Sequence, residues 1–317
     1  ALAAPALVGS YNGPWAAGTA AGLVFRECTR GRSAVGGPAA LVGALAAACE
    51  AAGVSVLTDR RVEAITVRDG RVGGVRLAGG EEIATGTIVA TCNPRTTLLE
   101  LVGARWLDAT TELEIERFRC RGTTAVMLLA VDGPVEVAAL PGEPVERLRL
   151  GASSFDELER AFDAVKYRQA SPQPYSEVWI PSIESPELAP AGCHVVAALV
   201  SCAPYDLADG WSPTTREVLI QGTVRQINDH IPGIRERLAG GKLLAPPDLE
   251  RELALPGGHL FHGESALDQF LFLRPGLGLA HYATPIEGLY LGGGGSHPGG
   301  GISGMPGRLG AQAALAR

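Results

Sequence analysis

The fold is decided by one stretch near the carboxyl end, Gly288-Leu289-Tyr290-Leu291-Gly292-Gly293-Gly294-Gly295-Ser296-His297-Pro298-Gly299-Gly300-Gly301-Ile302-Ser303-Gly304. Eight of the thirteen residues 292–304 are glycine, which is more than a simple turn requires. Residues 288–291 form a short apolar run that predicts a β-strand, and residues 305–316 predict a helix. The carboxyl end of the chain is therefore predicted to be a strand, a glycine-rich loop and a helix, in that order.

Such a loop suits a ligand that approaches the main chain. Glycine has no Cβ and adopts positive φ readily, so a ligand can contact the backbone directly. Successive exposed N–H groups form an anion-binding concavity, and the N-terminus of the following helix adds partial positive charge. The pattern predicts a site for a pyrophosphate, a ribityl chain or the polar edge of a ring. A loop whose glycines serve flexibility or packing alone is the alternative.

Residues 299–304 also satisfy the pattern G-x-G-x-x-G. The dinucleotide fingerprint needs a second strand and an acidic residue about 20 positions further on, and only 13 residues follow Gly304. These glycines are therefore not expected to be the primary phosphate-binding turn. In the final helix Gly304, Gly307, Ala311 and Ala314 share one face, which predicts close packing. Packing against a sheet and packing against a cofactor are both compatible with this face.

Upstream of the loop, the pattern predicts a helix, a strand, a small antiparallel meander and one more strand. Gly36-Gly37-Pro38 opens the helix, because proline suits the first helical position. Asp69-Gly70 is a tight-turn signal between two meander strands. The run Thr-Ile-Val-Ala-Thr ends at Cys92-Asn93-Pro94, where a buried strand that feeds a helix predicts a ligand-facing loop. The predicted elements are a helix over 39–52 and strands over 54–57, 62–67, 72–77, 82–85 and 87–91.

The middle of the chain, residues 105–255, has a different pattern of shorter elements. It predicts helices over 111–119, 155–168 and 214–230, and strands over 123–131, 178–180 and 195–200. Ser153 or Ser154 is a plausible N-cap for the second of these helices. The proline- and glycine-containing stretch from Pro246-Pro247 to Pro256-Gly257-Gly258 is predicted to be a linker.

Composition excludes several classes of protein. The net charge of −7 argues against a broad nucleic-acid footprint and against electrostatic docking on anionic lipid. Six cysteines without a C-x-x-C pair indicate a reduced intracellular protein rather than a zinc ribbon or a disulfide scaffold. Residues 1–25 carry no charge, but two prolines and four glycines interrupt them. This run predicts buried or cleft-lining segments rather than a transmembrane helix.

Taken together, residues 288–301 resemble the C-terminal flavin-binding signature of phytoene-desaturase-like FAD oxidoreductases in the amine-oxidase superfamily. Four further segments resemble the pyridine nucleotide-disulphide oxidoreductase domain-containing protein 2 group of that family. These are Pro246-Pro247-Asp248-Leu249-Glu250-Arg251, Leu255-Pro256-Gly257-Gly258-His259-Leu260-Phe261-His262, Leu267-Asp268-Gln269 and Ala189-Pro190-Ala191-Gly192-Cys193-His194-Val195-Val196. The resemblance covers essentially the whole chain.

The resemblance implies a fold of the α/β (α+β) class with FAD as cofactor. Residues 36–105 and 257–317 correspond to segments of a doubly wound FAD-binding domain, and residues 1–35 and 106–256 to a substrate domain of mixed sheet and helix. In the family, residues at the matching positions contact FAD at its adenine end, along its border, at its pyrophosphate and ribityl chain, and at the edge of its flavin ring. In chain order these positions are Val62, Cys92, Asn93, Pro94, Gly293, Gly294, Gly295, Ser296, Gly301, Ile302 and Ser303.

The sequence departs from the family at its start, because no strand, G-x-G-x-x-G turn and helix come before Gly36. We therefore expect a chain that corresponds to the C-terminal half of a family member, with the first half supplied by another polypeptide or by a longer form of the protein. A homo-oligomer, and peripheral association with a membrane or the respiratory chain, are further partner predictions. The expected compartment is the cytoplasm for a bacterial protein and the mitochondrial matrix for one that follows the eukaryotic relative.

The implied reaction moves a hydride between flavin and a C–C or C–N bond of an apolar substrate. The cofactor does this chemistry, so few acid–base residues are required. His297, inside the glycine turn, is the candidate catalytic residue, and a loop-stabilising hydrogen bond is its alternative role. His259 and His262 lack a third ligand, so no metal is predicted. A non-catalytic interaction protein that regulates mitochondrial function is the second functional hypothesis.

Overall fold

The computed structural model describes residues 4–28 and 34–316. Residues 1–3 and 29–33 of the predicted substrate domain, and Arg317, lie outside the described residues. The chain divides into two compact units. The first combines Ala1–Val56 with Gly122–Leu253, and the second combines Leu57–Arg121 with Ala254–Arg317. Residues 36–56, predicted from sequence to belong with the cofactor segments, group with the first unit. The assignment of the units to cofactor and substrate stays a prediction.

Strands occur in both units. Within the described residues they are β1 (Val62–Arg68), β2 (Arg71–Leu77), β3 (Glu82–Ala84), β4 (Ile88–Ala90), β5 (Thr124–Asp132), β6 (Arg147–Leu150), β7 (Ser176–Trp179), β8 (Cys193–Ser201), β9 (Leu238–Leu244) and β10 (Leu289–Leu291).

Helices connect these strands. The α-helices are α1 (Thr19–Cys28), α2 (Gly37–Ala51), α3 (Ala109–Glu116), α4 (Phe155–Lys166), α5 (Pro181–Glu184), α6 (Pro213–His230), α7 (Pro246–Leu253) and α8 (Met305–Leu315). A π-helix covers Thr96–Gly103. The 3₁₀ helices are Ala4–Leu7, Ala104–Trp106, Pro186–Leu188, Pro256–Gly258, Leu267–Gln269 and Leu271–Leu273.

The first unit is built on a five-stranded antiparallel sheet with the order β6-β7-β8-β5-β9. Successive side chains of a strand point to opposite faces, and β5 shows the resulting alternation. Met127 and Leu129 are buried with Leu219 and Ile227 of α6, whereas Leu128 between them is exposed. One face of the sheet therefore packs on α6. The opposite face carries the alternate side chains of β5 and β8, such as Leu128.

The second unit contains two small sheets. β1, β2 and β3 form the predicted meander, with Asp69 and Gly70 at positive φ in its first turn. β10 pairs with β4 in parallel, with Leu289 opposite Ile88. The core between them is apolar and includes Leu98 of the π-helix and Ile115 of α3. The parallel pair is the part of this unit that carries the glycine-rich loop.

Most predicted elements are confirmed, and local sequence signals explain them. The helices predicted over 39–52, 155–168, 214–230 and 305–316 are α2, α4, α6 and α8. The Ser154 hydroxyl accepts the Glu157 N–H at the start of α4, as an N-cap does. α8 packs closely on β10 through Gly310, whereas Gly304 and Ala311 of the predicted packing face are exposed. No helix of the described ranges 4–28 and 34–316 is both long and apolar enough to cross a membrane.

Two predicted elements are wrong. Residues 54–57 are not a strand, because no strand of the described chain pairs with them and Val54 and Val56 are exposed. β propensity without a neighbouring strand forms no ladder. The predicted linker begins with a helix, α7, because Pro246 and Pro247 occupy its start, where proline loses no hydrogen bond. Strands β6 and β9 were not predicted from the sequence.

Candidate functional site

The glycine-rich loop leaves β10 at the same sheet edge at which the Cys92-Asn93-Pro94 loop leaves β4. Carboxyl ends of parallel neighbours meet at one edge, which is where α/β proteins bind ligands. The Gly292 N–H donates to the Ala90 carbonyl at 2.8 Å, extending the pairing into the loop. The structure thus brings the two predicted cofactor segments, 92–94 and 293–296, together.

Several glycines of the loop are required by contacts within the chain itself. A Cβ on Gly293 would lie 2.2 Å from the Thr91 carbonyl oxygen, and one on Gly295 would lie 2.3 Å from Cδ of Pro94. A Cβ on Gly300 would lie 2.4 Å from Cβ of Phe261. These distances are too short for any side chain, so packing of the loop accounts for these three glycines.

The segment predicted to meet the edge of the flavin ring, residues 301–303, is exposed rather than closely packed. Gly301 has φ of +107° and open space where a Cβ would be, and Ile302 and Ser303 are exposed. Packing within the described chain therefore does not explain Gly301. Val62, predicted to contact the adenine end, belongs to a different sheet from the two loops. It begins β1 of the meander, where it pairs with Leu77.

Asn93 fixes the β4 loop from a buried position. Its Oδ1 accepts the Arg95 N–H at 2.9 Å, and its Nδ2 donates to the His262 carbonyl at 2.8 Å. The same amide lies 3.5 Å from the Cys120 sulfur. Burial raises the pKa of the Cys120 thiol, which keeps it protonated. Asn93 therefore ties the β4 loop to the backbone of His262, whereas Cys92 beside it is exposed.

Arg274 is a buried cation beneath the glycine turn. Its guanidinium donates to the carbonyl oxygens of Phe261 (2.8 Å), Gly263 (3.2 Å), Glu264 (3.2 Å) and Gly294 (3.2 Å). Burial lowers its pKa to about 10, so it stays charged at neutral pH. In the described part of the chain its hydrogen-bond acceptors are main-chain carbonyls rather than carboxylates, and its Nε has no partner.

His262 lies against the same turn. Its Cδ2 is 3.1 Å from the position of a Cβ on Gly294, and its φ is +57°. Burial, with a smaller effect from Arg274, lowers the pKa of His262. His259 has a separate role, because its buried ring accepts the N–H groups of Phe261 and Gly263, both at 3.2 Å. The H-x-x-H pair is thus one loop-shaping histidine and one histidine at the turn.

Besides Arg274 Nε and His262 Nδ1, three buried polar atoms near the loop have no hydrogen-bond partner among the described residues: Ser296 Oγ, His297 Nδ1 and Tyr282 Oη. Ser296 is only 1% exposed, and the Tyr282 and His297 rings are 6.4 Å apart, centre to centre. A buried polar group without a partner costs about 1–3 kcal/mol. Such atoms at a ligand-facing sheet edge fit a polar ligand that would supply the missing partners.

The chain is similar over most of its length to curated oxidoreductases. It is 36% identical over 284 residues to pyridine nucleotide-disulfide oxidoreductase domain-containing protein 2 of Rattus norvegicus, covering 86% of this chain and 49% of that protein. It is 26% identical over 293 residues to the lycopene-forming phytoene desaturase of Pseudescherichia vulneris, covering 88% of this chain and 55% of that protein. The chain is thus similar in sequence to members of the phytoene-desaturase-like oxidoreductases. It spans about half the length of these curated relatives.

The fold of this chain also matches a solved structure, an oxidoreductase from Methanosarcina mazei. The TM-score is 0.53 at 14% identity, over 89% of this chain and 55% of the other. At that identity the likeness concerns the fold alone, and it confirms the predicted α/β (α+β) class. No protein-family model matches the chain.

Three residues near the turn were not expected from the sequence. Arg274 stands at the end of the apolar run Phe270-Leu271-Phe272-Leu273, and a lone cation in such a run is a signal for a buried charge. Tyr282 and Cys120 have no comparable signal, since only the fold brings them to the loop. His262 was noted in the sequence but was not assigned to the turn.

Proposed function

We propose that the chain is part of an FAD-dependent oxidoreductase that moves a hydride between an apolar substrate and flavin. The observation that carries the proposal is the paired edge of β4 and β10, where the unpartnered Ser296 hydroxyl and His297 Nδ1 lie in the glycine loop. The homologues and the matching fold support the cofactor class. Bound FAD would supply the ring that accepts or donates the hydride.

In this proposal the chain's own residues bind and orient the cofactor. The main chain at Gly301 is open to a ligand, and the Ser296 hydroxyl is a donor without an acceptor. Asn93 ties the β4 loop to the His262 backbone, and Arg274 ties the neighbours of His262 to the glycine turn. His297 is proposed to contact the cofactor or to move a proton from its unpartnered ring nitrogen.

The outer face of the first unit's sheet supports an apolar substrate. Val126 pairs with Leu199, and Leu128 pairs with Ala197, so these four side chains form adjacent apolar rows on the face opposite α6. Leu128 is 40% exposed. A contiguous apolar patch on a sheet face, unlike a single exposed side chain, is a mark of a binding site.

The alternative is a non-catalytic interaction protein or a half-enzyme that needs a separate N-terminal subunit. One observation favours it: α2 is apolar on all sides and exposed along nearly its whole length. Leu41, Val42 and Leu45 of α2, and Val54 and Val56 after it, are all exposed. This surface fits a protein partner that presents apolar side chains, and the family's N-terminal FAD-binding half is our first candidate for it.

The test is FAD binding by the purified chain, alone and with the separately expressed first half of a family member. We expect a yellow complex with bound flavin. Ser296→Ala should weaken FAD binding about tenfold through one lost hydrogen bond, yet stabilise the ligand-free protein because it removes an unsatisfied hydroxyl. Ser201→Ala is the matched control, since its Oγ is also buried without a partner, but in β8. A preparation that stays colourless under both conditions would refute the proposal.

A further inference from the structure

We propose that His262 is a fixed, neutral hydrogen-bond donor at the glycine turn, and that Arg274 is the positioning residue that holds it there. The inference rests on the proposed function, since it concerns how the same site recognises its ligand. The partner of His262 is a hydrogen-bond acceptor of a flavin nucleotide: a diphosphate oxygen, a ribityl hydroxyl or an acceptor atom of the ring.

The backbone of His262 is held on both sides. Its carbonyl accepts the Asn93 Nδ2 donor at 2.8 Å, and its own N–H donates to the His259 carbonyl at 3.0 Å. Its φ of +57° is a left-handed conformation that is uncommon for residues other than glycine, although histidine tolerates it better than most. The position of the ring against Gly294 is therefore set by the fold rather than by chance rotation of a loop.

Arg274 fixes the same segment from the other side. Its Nη2 donates to the carbonyls of Phe261 and Gly263, the two neighbours of His262, and also to the carbonyl of Gly294. One buried guanidinium thus connects the His262 backbone to the glycine turn. Replacing it would release both at once, although Arg274 itself is too deeply buried to reach a ligand.

The surroundings of the ring favour its neutral form. Nδ1 is buried and has no partner within the described residues, and the charged group that faces the ring is the Arg274 cation. A proton on Nδ1 would be a buried donor without an acceptor, beside a like charge. Nε2 is the ring nitrogen that is not recorded as buried without a partner among the described residues. The neutral ring therefore carries its proton on Nε2, the nitrogen that can donate to a ligand.

Glycine at position 294 is consistent with this role. A Cβ there would sit 3.1 Å from Cδ2 and 3.7 Å from Cγ of His262, so a larger residue would push the ring away from the turn. The imidazole ring of His262 thus occupies the space on that side of Gly294. His262 extends the turn with a donor that the glycines themselves lack.

The first measurement needs no ligand. Long-range ¹⁵N–¹H spectra of the imidazoles should show His262 as the Nε2–H neutral tautomer throughout a titration from pH 8 to about pH 6, the range in which an ordinary histidine becomes charged. Arg274→Lys should let His262 exchange between tautomers. A wild-type His262 that becomes charged within this range, or that carries its proton on Nδ1, would overturn the inference.

The second measurement is the affinity for FAD, riboflavin and ADP. We expect His262→Ala to weaken FAD binding about tenfold, and His262→Asn to recover part of the loss, because its amide can donate and tolerates positive φ. A loss shared by ADP identifies a diphosphate oxygen as the acceptor, and a loss shared by riboflavin identifies the ring or ribityl chain. The control is His281→Ala, at an exposed position.

These outcomes separate the two proposals. FAD binding that is equal in wild type, His262→Ala and His262→Asn would refute the role of His262 and leave the proposed function intact. A wild-type protein that binds none of the three probes, even with a first-half partner, would refute the proposed function, and with it the donor role of His262 toward a flavin nucleotide.

Discussion

Gly310 of α8 faces the carbonyl oxygen of Leu291 in β10 so closely that an added Cβ would lie 2.6 Å from it. The last helix therefore packs on the strand that enters the glycine turn, and this contact fixes where the turn begins. We expect Gly310→Ala to lower the free energy of unfolding by about 1–3 kcal/mol, because backbone atoms on a buried strand cannot move aside cheaply. Chemical denaturation with an α8-sensitive probe measures this.

The control for this substitution lies one turn earlier in α8. A Cβ on Gly307 would be 3.6 Å from the Gly292 carbonyl oxygen, an ordinary contact distance. Gly307→Ala should therefore be neutral or stabilise by up to about 1 kcal/mol, since alanine is the better helix former. Equal losses for both substitutions would contradict the close packing of α8 on β10.

At Gly301 the effect of a substitution on ligand binding can be measured apart from its effect on folding. Gly301→Ala introduces a side chain at φ of +107° into open space, so its cost to stability should be limited to backbone strain of about 1–3 kcal/mol. If the main chain there touches the cofactor, FAD affinity should fall by tenfold or more. Gly278→Ala provides the comparison, because Gly278 also has positive φ and open space but lies outside the turn. Both variants are measured by flavin titration and denaturation, and unchanged FAD affinity in Gly301→Ala would remove this residue from the site.

The buried carboxylate of Glu264 predicts a pH dependence of stability. Burial raises its pKa, but hydrogen bonds and charge from Arg121, with a smaller effect from Arg119, outweigh burial and lower the pKa overall. The two Arg121 contacts are 2.7 and 2.8 Å long. A group whose pKa is lower in the folded state stabilises above its unfolded pKa, about 4.3 for glutamate, and loses that contribution as the pH falls through the folded value.

Glu264→Gln should therefore be less stable than wild type by about 2 kcal/mol at pH 7, and the difference should shrink as the pH falls below about 4. Unfolding free energies measured from pH 7 to pH 3 test this. Glu63→Gln, at an exposed position of β1, should follow the wild-type curve throughout. A constant difference between Glu264→Gln and wild type across that range would mean that Glu264 is not held ionised by its arginines.

The apolar surface of α2 predicts association without a change in fold. Leu45→Glu places a charge at an exposed position, so the unfolding free energy should change by no more than about 0.5 kcal/mol. Binding of a hydrophobic fluorescent dye, and capture of the first half of a family member, should both decrease. Leu315→Glu, at an exposed position of α8, should change neither. A loss of stability in Leu45→Glu would show that α2 already packs on part of the chain.

The sequence predicted the elements whose signals are local. Asp69-Gly70 marked the meander turn, Ser154 marked the start of α4, and the glycine loop was placed correctly between β10 and α8. The prediction of a strand over residues 54–57 was wrong because strand formation depends on a neighbouring strand, which the local sequence does not reveal. The two prolines at the start of α7 have the same residue pattern as a linker, so helix and linker could not be distinguished there.

The site was predictable in position but not in its internal contacts. The loops at 92–94 and 293–296 were expected to be ligand-facing, and the structure brings them together. The short distances from Gly293 and Gly295 to the β4 loop could not be foreseen, because glycines needed for packing and glycines needed for a ligand look the same in sequence. Arg274 meets Gly294 only through the fold, 20 positions away.

The parallel pairing of Ile88 with Leu289 joins positions roughly 200 residues apart in the chain. Non-local pairings of this kind form late, because the intervening polypeptide must first be ordered. During synthesis the β4 edge emerges from the ribosome long before its partner strand exists. The paired edge is thus assembled only once β10 has left the ribosome, so any small molecule that this edge holds must bind after that point.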